Sequence, residues 1–103
     1  AKSLASTSGW LENADLCAVG NNLSANNATG LSILPAGYLD DYGLHLDFGY
    51  FAALWSATEQ SYQDAHYFFL QMSTFKLFDT GIGKNIDIMS KEYGFSVRCV
   101  RNP

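Results

Sequence analysis

The sequence predicts a single loop-rich domain built mostly of antiparallel β-strands. Its 103 residues are enough for one compact core and too few for two. Charged residues make up only 16% of the chain, against roughly 25% in an average soluble domain, and glycine, serine, asparagine and aromatic residues take their place. Helix signals are poor along the whole chain. Together these observations exclude a helical bundle, a coiled coil and a disordered tail.

The first part of the chain is predicted to be irregular. Between residues 10 and 19 the pattern allows one short helical turn at most, because glycines bound it. Residues 20–30 are rich in asparagine, which tolerates left-handed backbone, and are predicted to form a surface loop. Residues 31–39 are predicted to form an edge or bulged strand, since Pro35 lies inside the apolar run. An acidic turn at 40–43 follows.

The second part is predicted to form the sheet. A strand is expected near residues 53–58. Residues 64–73 carry apolar side chains on both alternating faces, which is typical of a strand covered on each side, and are predicted to lie at the centre. Residues 75–78 predict a weaker strand. Residues 95–101 predict a terminal strand whose alternate side chains share one face; these are Phe95, Val97 and Cys99.

Charge and hydropathy exclude two classes of partner. The formal net charge is −4 and the six basic residues are scattered, whereas nucleic-acid binding depends on clustered lysine and arginine. No apolar run reaches the roughly 18 to 20 residues that cross a bilayer. We therefore expect neither a nucleic-acid partner nor a membrane span.

No motif predicts an enzyme. His45 and His66 are the only imidazoles, and no nucleophile elbow accompanies the abundant serines. His66 is expected to be a structural residue on one face of the central strand. His45 is interpreted as a solvated loop residue.

Two small groups of residues leave alternatives open. Asp40, Asp41 and Asp47 are candidate calcium ligands, because calcium prefers loop carboxylates, but a plain acidic turn explains them more simply. No other metal or cofactor is expected. Cys17 and Cys99 are candidates for one disulfide if the protein is exported, the alternative being that Cys99 is a small buried apolar residue.

Aromatic density is the most informative feature of the composition. Six tyrosines, seven phenylalanines and two tryptophans are more than so small a core can hide. Between residues 62 and 78 rings alternate with small polar residues, a mixture typical of recognition surfaces. Tyr67 and Phe69 are expected to belong to the core instead. The residues predicted to bind a ligand are Tyr62, Asp64, His66, Phe68, Gln71 and Phe75.

Three segments in order along the chain carry a family resemblance. They span residues 28–38, 54–59 and 93–102, and residues 4–10 fit the same pattern. Together they resemble the Fibrobacter succinogenes major paralogous domain, in particular its C-terminal half. The resemblance implies an α+β architecture, mostly antiparallel β with long loops, similar to C-type-lectin-like domains and formylglycine-generating enzymes. It also implies a secreted or cell-surface protein of the kind found in Bacteroidetes, such as a lipoprotein or fimbrial-type protein.

The same resemblance shapes the functional expectation. The chain lacks the second redox-active cysteine of formylglycine-generating enzymes, so that activity does not carry over. In some relatives the residues after the position of Glu59 form a diversified ligand face. The resemblance implies that a first half of the domain, or a partner chain, covers a sheet edge and supplies a cysteine for Cys99. We therefore expect residues 1–103 to be one domain that recognises a carbohydrate or protein; the alternatives are a structural or assembly domain and, third, an enzyme.

Overall fold

The computed structural model describes residues 1–73, 86–99 and 101, and the strands lie mainly in the second half of the chain. Its elements are the 3-10 helix η1 (Leu23–Ala25) and the strands β1 (Tyr38–Leu39), β2 (His45–Leu46), β3 (Phe51–Glu59), β4 (Asp64–Gln71) and β5 (Ile86–Ser90). The predicted, mostly antiparallel β class is confirmed. Within the described ranges no α-helix forms, so the helical part of the α+β expectation finds no support there.

The strands form two antiparallel sheets. β3, β4 and β5 pair in that order, and β1 pairs with β2 as a short hairpin. The prediction that residues 64–73 form a central strand is confirmed, since β4 has a neighbour on each side. The predicted strand at 53–58 is also confirmed and is longer than expected. Its regular pairing with β4 is interrupted by a bulge between Trp55 and Glu59.

Each face of the three-stranded sheet is covered by a different part of the chain. On the first face, Ala52 of β3 and Leu70 of β4 pack against residues from the N-terminal segment. The buried residues of this cluster are Ala5, Trp10, Val19, Ile33, Ala52 and Leu70. The Trp10 indole N–H donates a 3.2 Å hydrogen bond to the Ile33 carbonyl, which satisfies its one polar group within the core.

The asparagine-rich loop is exposed on one side and hydrogen-bonded to the rest of the chain on the other. Asn26 is buried, and its amide Nδ2 donates to the carbonyls of Ser6 at 3.0 Å and Val19 at 3.1 Å. The Lys2 ammonium donates to the Ala18 carbonyl at 3.1 Å and to two carbonyls further along the loop. Buried carbonyls need donors, which Asn26 supplies, and the two side chains together join the loop to the N-terminal segment.

Several sequence predictions need correction. The prediction of a terminal strand at 95–101 is wrong for the described residues of that range. The only pairings there are single bridges, one from the preceding Gly94 to Leu39 and one from Ser96 to Leu54. The segment changes partner between these bridges, so no ladder extends along it. Val97 is 73% exposed rather than turned toward a core. The strand predicted at 31–39 is reduced to β1.

Other differences lie nearby. β5 was not predicted, and the helical turn considered for residues 10–19 does not form. The strand predicted at 75–78 lies outside the described residues. In the part of the chain that the structure describes, no helix has the length and apolar character needed to traverse a bilayer.

Candidate functional site

The second face of the three-stranded sheet carries an open cleft of about 280 Å³. The residues lining it come from β1, the sheet, the turn after β2 and the terminal segment. They are Tyr38, Asp47, Phe51, Tyr67, Gln71, Met89, Tyr93 and Phe95. We call this the aromatic cleft.

Strand register explains how the floor of the aromatic cleft is assembled. Phe51 of β3 lies opposite Gln71 of β4, so both side chains project from the same face. Tyr67 projects from that face four residues earlier on β4, and Met89 joins it because its partner on β4 is Ala65. The floor is therefore set by the pairing of three strands.

One wall of the cleft depends on a contact between distant segments. Leu39 of β1 and Gly94 exchange two backbone hydrogen bonds, of 2.8 and 2.9 Å. This contact places Tyr38 beside Tyr93, with ring centroids 6.2 Å apart and nearly parallel planes. The terminal segment thus crosses the sheet face and closes the cleft on that side.

The rings around the cleft hold one another in place. Tyr38 meets Phe51 edge-on at 5.6 Å and Phe95 edge-on at 6.1 Å. Phe95 in turn lies 4.7 Å from Tyr67 and 4.4 Å from Trp55. Aromatic pairs at these distances contribute about 0.5–1.5 kcal/mol each beyond the area they bury. Only Tyr67 among these rings is buried, so the others present part of their surface to solvent.

Asp47 brings a carboxylate to this aromatic surface. Its backbone has φ of 60°, and its carbonyl accepts the N–H groups of Tyr50 and Phe51, each at 3.0 Å. Its side chain is exposed and makes no hydrogen bond or ion pair within the described residues. Asp47 therefore places at the cleft a carboxylate that has no partner among the described residues.

Burial and nearby carboxylates raise the pKa of two phenols that line the cleft. Burial raises the pKa of Tyr38, and Asp47 raises it further. Burial also raises the pKa of Tyr67, with a smaller contribution from Asp87 on β5. Both phenols therefore remain protonated at neutral pH, and each hydroxyl can donate a hydrogen bond.

The structure does not gather the six sequence-predicted ligand residues into one site. Asp64, His66 and Phe68 alternate along β4 on the face opposite the aromatic cleft, whereas Gln71 lines the cleft. Tyr62 lies in the turn between β3 and β4 and is 83% exposed. The sixth, Phe75, falls outside the described residues.

Comparison with models of known protein families identifies the family of this chain. A family model described as the Fibrobacter succinogenes major domain matches residues 3–101. The chain belongs to this family. The resemblance carried by the sequence segments is thereby confirmed. Comparison with curated proteins and with solved structures gave no significant match.

In this Fibrobacter succinogenes major domain, sequence reasoning missed most of the cleft. Tyr67 was expected to be core, and at 8% exposure it is buried, yet it also lines the cleft. One signal was present in the sequence. If β3 and β4 pair with Phe51 opposite Gln71, then Phe51, Gln71 and Tyr67 all project from the same face of the sheet. Nothing local to Tyr38 or Tyr93 indicates that they meet.

The acidic residues considered for calcium do not converge in this domain. One Asp40 carboxylate oxygen accepts the backbone N–H groups of Tyr42 and Leu44, both at 2.9 Å. That geometry supports the acidic-turn interpretation for Asp40. Among the described residues, no three His, Cys, Asp or Glu side chains are placed to hold a metal ion. The candidates Asp41 and Asp47 therefore remain separate surface carboxylates.

The histidines and cysteines occupy ordinary positions. His45 lies in β2, not in a loop, where its Nε2 is 2.6 Å from the Ala36 carbonyl and its ring contacts Phe48. Cys17 and Cys99 are both exposed and free. The structure does not join them, and Cys99 is not the buried apolar residue that the alternative expected.

A second, apolar cavity of about 310 Å³ opens on the face opposite the aromatic cleft. Leu54 and Phe68 contribute from the sheet, and Leu31 from the N-terminal segment. Beyond it, Ile86 and Ile88 of β5 are 45% and 41% exposed. The N-terminal segment thus covers only part of this face.

Proposed function

We propose that this domain is a non-catalytic recognition module of a secreted or cell-surface protein, and that it holds a carbohydrate or protein ligand in the aromatic cleft. The observation that carries the proposal is the cleft itself. It is lined by rings from separate segments in mutual contact and by the Asp47 carboxylate, which has no partner among the described residues. Binding sites are typically concave and mostly apolar, with a few polar groups that orient the ligand.

The cleft has the physical properties that such recognition needs. Its rings are already held by one another, so binding orders few additional side chains and loses little entropy. The Tyr38 and Tyr93 hydroxyls add hydrogen-bonding groups at the same surface. Apolar contact and oriented polar contact are therefore available together.

We propose further that the fold is C-type-lectin-like and that its ligand face follows Glu59. Family membership and the antiparallel sheet with long loops support this assignment. Within the described residues that follow Glu59, Tyr67 and Gln71 line the aromatic cleft. Diversification of that segment would therefore alter the cleft directly.

Glycan and peptide arrays test the position of the site. We expect the variants Tyr93→Ala and Gln71→Ala to reduce binding of the array ligand by about tenfold or more, because central aromatic and hydrogen-bonding contacts carry most binding energy. The matched controls are Tyr62→Ala and His66→Ala, which alter sequence-predicted residues away from the cleft. These are expected to bind like the unmodified protein.

The same four variants also identify failure. If Tyr62→Ala or His66→Ala abolishes binding while the cleft variants bind normally, the site lies elsewhere and the assignment of the aromatic cleft is wrong. Far-ultraviolet circular dichroism of each variant separates loss of a contact from loss of the fold. Absence of any array ligand would count against recognition of a carbohydrate or peptide.

A structural or assembly role is the second candidate, and the incompletely covered apolar face favours it. Ile86 and Ile88 present exposed apolar side chains next to the cavity formed by Leu54 and Phe68. Such patches often mark protein interfaces. If assembly is the function, the unmodified domain is expected to be oligomeric by light scattering at micromolar concentration.

The double variant Ile86→Ser, Ile88→Ser provides the corresponding control. It is expected to be monomeric if this face joins subunits, because the interface loses its apolar contacts. A monomeric unmodified domain, or an oligomer that the double variant leaves intact, contradicts assembly through this face. Neither result affects the aromatic cleft, which lies on the other side of the sheet.

A further inference from the structure

Building on the proposed binding function, we propose that the aromatic cleft recognises an organic ammonium group, held by the rings of Tyr38, Tyr93 and Phe95 and by the Asp47 carboxylate. The ligand would carry this group as its recognised feature. Shape, ring chemistry and charge at the cleft each contribute to the inference.

Three rings at different inclinations line the same cleft. Tyr38 and Tyr93 are inclined by 26°, whereas Phe95 stands at 85° to Tyr38. All three are only partly buried and line the same cleft. Ring faces attract cations through the aromatic quadrupole, and several rings at different angles form the cage that selects ammonium ligands.

Among the described residues, the charges at the cleft have one sign. Asp47 lines it with an exposed carboxylate that has no described partner. Asp87 projects from the same face of the sheet, because it pairs with Tyr67 in the register of β4 and β5. A negatively charged aromatic surface favours a cation over a neutral or anionic ligand.

The described positive side chains lie outside the lining of the aromatic cleft. Lys91 forms a 2.8 Å ion pair with Glu59, and Lys2 donates to carbonyls of the asparagine-rich loop. Arg98 lines the cavity on the opposite face. Within the described part of the chain, no lysine or arginine lines the aromatic cleft.

The tyrosines respond to the same negative potential. After burial, which is the larger cause, Asp47 raises the pKa of Tyr38 and Asp87 raises that of Tyr67. A potential that opposes formation of a phenolate also attracts a positive ligand. This supports the inference drawn from the rings and the cleft.

Titration with small probes tests the proposal without knowledge of the natural ligand. Choline and butylammonium present a quaternary and a primary ammonium, and 3,3-dimethylbutan-1-ol is the uncharged counterpart of choline. Backbone amide NMR signals of Asp47 to Phe51, and of Met89, report on the cleft. We expect at least one ammonium probe to shift these signals with about tenfold higher affinity than the neutral alcohol.

A charge-neutral variant sharpens the test. Asp47→Asn retains the shape of the side chain, and asparagine tolerates the positive φ at this position. This variant is expected to lower the affinity for the ammonium probe by about fivefold or more and to leave the affinity for the alcohol unchanged. Glu92→Gln is the matched control: it removes the same charge from an exposed position outside the cleft lining and is expected to have little effect.

The outcomes are distinct from those of the array experiment. Equal binding of ammonium and alcohol, or no binding of either ammonium probe, overturns the preference for a cation. If a neutral array ligand then still depends on Tyr93 and Gln71, the recognition function stands and only its ammonium selectivity fails. If the ammonium probes do not bind and array binding does not depend on Tyr93 and Gln71, the aromatic cleft is not a binding site.

Discussion

Replacing Leu70 with alanine is expected to lower the free energy of unfolding by about 3–5 kcal/mol. Leu70 is fully buried on the central strand β4, where it packs with Trp10, Val19 and Ile33 in the main core. The variant removes apolar contacts and leaves a cavity. Because β4 is paired with a strand on each side, the neighbouring side chains cannot move far enough to fill that cavity. Urea unfolding followed by tryptophan fluorescence measures the change.

Ile88→Ala is the control for this prediction. Ile88 projects from the same sheet face on the neighbouring strand, but it is 41% exposed. Its loss is expected to change stability by no more than about 1 kcal/mol. Comparable effects of the two variants would mean that the core is not centred on Leu70. Because the domain is small, the Leu70 variant is also expected to lose a large part of its total stability.

The strands that were predicted correctly are those whose pattern is contained within the strand. β4 carries apolar side chains on both faces, and this periodicity identifies a central strand without knowledge of its neighbours. β3 was recognised from its aromatic and apolar run, although its limits extend to Phe51 and Glu59. Composition predicted the β-rich class, and the family match confirms the resemblance of the sequence segments.

The elements that were missed depend on distant contacts. Residues 95–99 have strand-like alternation, but instead of a ladder there is one bridge from the preceding Gly94 to β1 and one from Ser96 to β3. In β5, Ile86 and Ile88 share a face with exposed fractions near one half, so burial provides no strong periodic signal. Alternation alone therefore predicts a strand in the first case and gives no clear indication in the second.

The candidate site shows the same dependence on tertiary structure. The sequence identified the aromatic-rich segment, and its prediction of Gln71 coincides with the cleft. It grouped Asp64, His66 and Phe68 with Gln71. Side chains alternate along a strand, so those three lie on one face of β4 and Gln71 lies on the other. Tyr38 reaches the site because Gly37 bridges Ala52 of β3 and the terminal segment bonds to Leu39, and both are contacts between residues far apart in sequence.

Replacing Gly37 with alanine is expected to lower the free energy of unfolding by roughly 3 kcal/mol or more. Gly37 has φ of 68°, which disfavours residues with a Cβ atom. A Cβ there would lie 2.1 Å from the Leu46 carbonyl oxygen and 2.9 Å from the Phe48 nitrogen. Both are backbone atoms, so β2 and the turn after it must move. Thermal and urea unfolding by circular dichroism measure the loss.

Gly43→Ala separates the steric effect from backbone conformation. Gly43 has φ of 82°, yet apart from Gly43 itself and its two chain neighbours no described atom lies within 4 Å of the position its Cβ would occupy. It should therefore lose only the conformational part, about 1–2 kcal/mol. If Gly37→Ala is no more destabilising than Gly43→Ala, the close packing of Gly37 against β2 is wrong. Because Leu46 precedes Asp47, a folded Gly37 variant is also expected to bind ammonium probes more weakly, which links the packing of this hairpin to the shape of the cleft.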